Sequence, residues 1–194
     1  MGGVAVEHWS VDTNPNATRE RRRASPVRTG LARLLGAHAT ERVGIWWLGQ
    51  LPAGWHLVHD VPVGEGGTID HMIVGPAGVF AVNAQDVTGQ VWVGATGIRI
   101  NGHATDDVWR LLRGAQRAAR LLSAELEHQV AVHPVLTILA DGWTIQEAPS
   151  DVFIGPPRIV KDRLLRRLPA ALSTLEVTAI AAAAARLSTW DEIF

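Results

Sequence analysis

The stretch Ile69–Gln85, IDHMIVGPAGVFAVNAQ, sets one aspartate and two amides around two short apolar runs joined by Gly-Pro-Ala-Gly. With residues 75–78 as the loop, an antiparallel hairpin places Val74 opposite Val79, Met72 opposite Ala81, Asp70 opposite Asn83 and Thr68 opposite Gln85. Side chains alternate along a strand, so these residues share one face while His71, Ile73, Phe80 and Val82 take the other. Directly opposed Cβ atoms lie about 4.5–5.5 Å apart, so Asp70 and Asn83 could hold one ion between them. A further acid, Glu41, falls in register with Leu34, Ile45 and Leu48 on a helical apolar stripe. A carboxylate there needs a cation, water or a partner such as Arg42. The chemistry these residues could do is that of a metal-dependent site.

Periodicity supplies the elements that must position them. Residues 30–51 repeat apolar side chains at helical spacing and end at Leu-Pro-Ala-Gly-Trp. Strand-like runs follow over 56–63, 68–74, 79–85, 90–93 and 97–100, separated by glycine-rich turns, which is an antiparallel meander. Residues 106–127 then carry a long helical pattern through Leu111, Leu112, Ala115, Ala119, Leu122 and Leu126, with Asp106 or Asp107 as cap. An apolar strand over 130–139, a short strand in DVFIGPP, and helices over 159–168 and 174–187 divided at Pro169 complete the chain. This order predicts an α/β fold, a mixed sheet with an antiparallel meander flanked by helices. Residues 1–27, with Arg-Glu-Arg-Arg-Arg at 19–23, read as a flexible basic arm, and residues 28–194 as one domain.

Composition removes several function classes. The net charge is −1, so any attraction to nucleic acid must come from local patches. Arg110, Arg113, Arg117 and Arg120 form such a patch on one helix face, and arginine suits phosphate geometry, although a solvated face diluted by Asp106, Asp107, Glu125 and Glu127 is the simpler reading. Arg163, Arg166 and Arg167 cluster later. With no cysteine there is no thiol nucleophile or cysteine-ligated metal. His56 and His59, three apart on a strand, face opposite ways, and no zinc-ligand spacing occurs. Tryptophans 46, 47, 55, 92, 109 and 143 could stack on bases, with core and rim packing the plainer role. Val63–Gly67 lacks the lysine of a phosphate loop, and no serine sits in a nucleophile elbow. The apolar stretch of residues 180–185 is far too short to span a membrane and the N-terminus lacks a signal pattern, so a cytoplasmic protein without a membrane partner is expected.

The span ATERVG…LPAGWHLVHDVPVGEGGTIDHMIVGPAGVFAVNAQDVTGQVWV, roughly residues 40–93, resembles the nuclease-related domain. That family is a branch of the PD-(D/E)-x-K nuclease superfamily with the restriction-endonuclease-like fold. IDHMIVGPAGVF is the most specific piece, and RAARLLSA and the closing STW resemble members of the actinobacterial type. The resemblance implies Glu41 as the helix acid, Asp70 as the metal-binding aspartate, Asn83 at the second acid and Gln85 at the lysine, with Mg2+ or Mn2+ as cofactor and DNA as partner. In such sites the acids hold the ion that polarises phosphate and acidifies water, while the lysine orients that water and steadies negative charge.

Two of these positions depart from the pattern. Asn83 brings a neutral amide to a hard cation, which weakens binding. Gln85 brings no positive charge, and losing such a group typically costs about 10²–10³ in rate. Asp86 points to the other face on a regular strand, and the one lysine, Lys161, is remote in sequence. An amide opposite Asp70 also removes the repulsion of two carboxylates that no cation bridges. The reading is a DNA-associated protein with a degenerate, impaired nuclease site, metal binding at Asp70 and Glu41 being weak or lost. Two alternatives stand beside it: an active Mg2+- or Mn2+-dependent endonuclease using Glu41, Asp70 and Gln85, and a structural interaction domain without nucleic-acid binding.

Overall fold

The computed structural model describes residues 51–64 and 67–191. The arm expected over residues 1–27, and Glu41 with the helix expected to carry it, lie outside the described residues. The apolar alternation after Trp55 builds β1 (His56–Pro62), β2 (Thr68–Gly75), β3 (Gly78–Asp86), β4 (Gln90–Gly94), β5 (Gly97–Ile100) and β6 (His103–Ala104). The helical spacing that follows builds α1 (Asp107–Leu126), and then come β7 (Val132–Leu139), β8 (Gly142–Ile145) and β9 (Phe153–Gly155). Helix α2 (Pro157–Asp162) runs into a π-helical turn at Arg163–Arg167, and α3 (Thr174–Ala185) is followed by a 3-10 turn at Leu187–Trp190. The architecture is mixed α/β, consistent with the restriction-endonuclease-like fold.

The meander is shared between two sheets. One has the order β1-β2-β3-β7-β9 and the other β6-β5-β4-β8. Strands β3 and β7 run parallel as far as Asp86 and Leu139, and β4 and β8 resume the same parallel partnership from Gln90 and Gly142. Between the two pairs the chains bend together: Gly89 takes a φ of +112° that glycine tolerates, and the Asp141 carboxylate accepts its N–H at 2.8 Å. A four-residue strand such as β8, following a turn, has too little periodicity to announce itself in the sequence.

Each face of the five-stranded sheet has its own cover. Met72, Val74, Val79 and Ala81 pack with Val108, Leu111, Ala115, Ala118 and Leu122 of α1, with Val177 and Ile180 of α3, and with Val91, Val93 and Ile98 of the smaller sheet. Fully burying a leucine such as Leu111 or Leu122 is worth about 2–3 kcal/mol, so α1 is firmly seated on the site-bearing face. Ile73, Phe80 and Val82 point the other way, onto Val160 of α2 and Leu164 of the π turn. Helix α3 begins with a capping box between Ser173 and Glu176. It ends where Thr189 Oγ1 and Trp190 Nε1 donate to the carbonyls of Ala183 and Ala184 at 2.8 and 3.0 Å, which is the structural work of the STW motif. No helix among the described residues is long and apolar enough to cross a membrane.

Candidate functional site

The β2–β3 hairpin turns at Gly75–Gly78 and pairs Val74 with Val79 and Met72 with Ala81, as the alternation requires. The ladder stops at His71 and Val82, one pair short of Asp70 and Asn83. There two side chains replace it. The Asp70 N–H donates to Asn83 Oδ1 at 3.2 Å, and the Ala84 N–H donates to Asp70 Oδ2 at 2.8 Å. Asp70 and Asn83 are therefore neighbours, but each is engaged with the opposite strand's main chain instead of presenting two oxygens side by side. On the β1 side the ladder also skips Asp70, continuing from His59–His71 to Val61–Ile69 across Asp60, whose φ is +52°. That conformation is uncommon for a residue with a Cβ. The interruption re-aims its neighbours: Ile69 packs in the same core as Met72, against strict alternation. Thr68 pairs with Pro62 of β1, and the β2–β3 ladder, which ends at His71–Val82, does not extend to Thr68 and Gln85.

Burial pushes the Asp70 carboxyl above its ordinary range and the Asp60 charge pushes the same way, while the Ala84 N–H pulls it back. A raised folded-state value means the native state favours the neutral acid. That stability is complete below the ordinary carboxylate pKa and is lost as pH rises through the folded value, so ionised Asp70 weakens the fold at neutral pH. Asp70→Asn keeps an acceptor for the Ala84 N–H and removes the charge. It is expected to be more stable than the parent at pH 7, with the two converging near pH 3, as read from urea midpoints. A variant less stable than the parent at pH 7 would contradict this account.

Asn83 and Gln85 face a cavity of about 600 Å³ between the start of β2, the end of β3 and α1. Asp70 is not on its wall. The opposite wall is α1, which contributes Asp107 and Trp109 from its first turn and Arg110, Arg113, Arg117 and Arg120 along its length. Spacing of three and four residues gives the arginines one face, and the buried Val108, Leu111 and Ala115 fix that face toward the amides. Gly64, at φ +69°, leaves room for Arg117: a Cβ there would sit 2.2 Å from Arg117 Nη2. Gly64 thus lies against a guanidinium.

Asp107 is the site residue that sequence reasoning missed. Its side chain is only 14% exposed, it accepts from Arg110 Nη2 at 2.7 Å, and it is hydrogen-bonded to the Gln85 side chain. Burial alone would raise its carboxyl, but the Gln85 bond and the Arg110 charge outweigh that and hold it below the usual range. In the sequence an acid in a first helical turn reads as a cap. Asp106, at the N-cap position, makes no capping bond either and pairs with Arg110 at 2.9 Å. Gln85 therefore faces an anion, where a lysine would find a partner.

Among the described residues no three of His, Cys, Asp and Glu converge in a way that could hold a metal. Asp70 stands beside amides, and one of its oxygens is committed to the main chain. Of the donors that the resemblance implies, the described residues supply one carboxylate and one neutral amide, which bring less negative charge to a hard divalent cation than two acids would. Asp86 is exposed at the end of β3, and Lys161 lies on α2, which covers the opposite face of the sheet. His59 and His71 meet each other across β1 and β2, Nδ1 to Nδ1 at 3.0 Å.

Comparison with known proteins gives one family. The model of the nuclease-related domain matches residues 35–139, more than half of the chain, and includes the hairpin, both amides and the arginine face of α1. No curated protein and no solved structure matches the chain. Hairpin motif, mixed α/β architecture and family model agree, and the chain belongs to the nuclease-related domain family.

Proposed function

We propose that this nuclease-related protein binds DNA through the cavity beneath α1 and that its metal-dependent cleavage is impaired. The observation that carries the reading is the composition of that cavity: four arginines facing Asn83 and Gln85, the positions where the family resemblance implies an acid and a lysine. The guanidiniums outnumber the carboxylates there, which attracts phosphate in a chain of nearly zero net charge. The amides supply shape and hydrogen bonds without the negative charge that a Mg2+ or Mn2+ ion requires. Glu41 is the remaining acid that the resemblance assigns, and with Asp70 alone it makes a weak ligand set. In this reading the domain occupies residues 28–194, and the arginine-rich segment at 19–23 adds unspecific phosphate contacts.

The test combines binding with cleavage. Purified protein incubated with supercoiled plasmid and Mn2+ is expected to show no nicking beyond that of Asp70→Asn, while retarding DNA in a manner that weakens steeply with salt. Nicking by the parent that disappears in Asp70→Asn overturns the impairment. Absence of retardation at low salt overturns DNA binding.

A further inference from the structure

Resting on the DNA reading above, we propose that Trp109 is a stacking platform for an unpaired base, and that the cavity takes single-stranded in preference to duplex DNA. Trp109 is 58% exposed, whereas Trp190 is 5% exposed and spends its indole on the fold. Trp109 is thus no part of the core. It stands in the first turn of α1 on the cavity rim, with the Arg113 guanidinium 4.9 Å from its ring centroid. A cation held over an indole fixes its orientation, and an aromatic side chain fixed in water beside a basic wall offers a π-face that any base can cover.

The exposed indole decides between strand forms. The cavity, about 600 Å³ and open to solvent, has room for a nucleotide. An unpaired base can turn onto Trp109, whereas a base inside a paired stack has both faces covered. Beyond Trp109, Arg113, Arg117 and Arg120 succeed one another at helical neighbour spacing, about 5–6 Å between Cβ atoms. That is comparable to the phosphate repeat of an extended strand, so phosphates can follow the arginines while a base turns onto the indole.

The experiment measures fluorescence anisotropy with labelled oligo(dT), an abasic strand of equal length and a hairpin duplex. The parent is expected to bind oligo(dT) more tightly than the abasic strand and than the hairpin duplex, and equal or tighter binding of the duplex overturns the strand preference. Trp109→Ala is expected to lose about 5- to 100-fold on oligo(dT), with little change on the abasic strand, and Trp109→Phe to retain most of the affinity. Trp92→Ala removes another partly exposed tryptophan, off the cavity wall on β4, and should leave all three affinities unchanged. Equal loss on oligo(dT) and the abasic strand, or no loss, overturns the stacking role while leaving DNA binding in place. Failure of the parent to bind any probe at low salt overturns both. Circular dichroism confirms that each variant is folded.

Discussion

Replacing Arg113, Arg117 and Arg120 together by glutamine is expected to weaken DNA binding roughly 10³-fold or more at low salt, each lost charged contact being worth about 1.5 kcal/mol. The diagnostic quantity is the salt slope. Three lost phosphate contacts should reduce the slope of log affinity against log salt by about 2 for a single strand and nearly 3 for a duplex. Arg110 is left out for a structural reason: it is bound to both Asp106 and Asp107, at 2.9 and 2.7 Å, so its charge is already largely answered. Arg110→Gln alone should therefore cost little in affinity. Arg113 and Arg120 are exposed and Arg117 is half-buried beneath Gly64, so the triple variant should stay folded, which thermal melting checks. An unchanged salt slope in the folded triple variant would mean that α1 does not touch phosphate.

The parts of this protein that could be read from sequence are those governed by local periodicity. Alternation around Gly-Pro-Ala-Gly sets the hairpin register correctly from Val74–Val79 to Met72–Ala81, because a slip of one residue would turn Ile73 and Phe80 into the wrong core. The spacing of the leucines of α1 likewise places its arginines on one side. What failed was the extension of a regular ladder to Asp70 and Thr68. On the β1 side the skipped position falls at Asp60, on another strand and with a positive φ that nothing in its own sequence neighbourhood demands. Division of the meander into two sheets falls between β3 and β4, which do not pair, and the strand that completes the smaller sheet, β8, is too short to show a pattern. Asp107 escaped notice because a first-turn acid has a sufficient local explanation, while its tie to Gln85 exists only once α1 crosses β3.

That tie governs the outcome of restoring the family's residues. Asn83→Glu with Gln85→Lys is expected to bind metal more tightly than the parent does. Without metal the double variant should be less stable than the parent, because an added carboxylate beside Asp70 meets a group that burial and Asp60 already disfavour as an anion. Mn2+ should reverse this: at a hundredfold excess over its dissociation constant, binding to the native state alone adds about 2.7 kcal/mol, visible as a rise in melting temperature and as heat in calorimetry. Cleavage should nevertheless recover poorly. A lysine at position 85 would pair with Asp107, as the Gln85 amide now does, and be held away from the water it must orient. Adding Asp107→Asn releases it and is expected to increase any plasmid nicking by up to about 10²-fold, the lower range for one positioned charge. A folded double variant with neither heat nor thermal shift on Mn2+ addition would show that Asp70 and position 83 do not belong to a common metal centre. Metal binding with nicking unaffected by Asp107→Asn would show that the lysine reaches the water despite its neighbour.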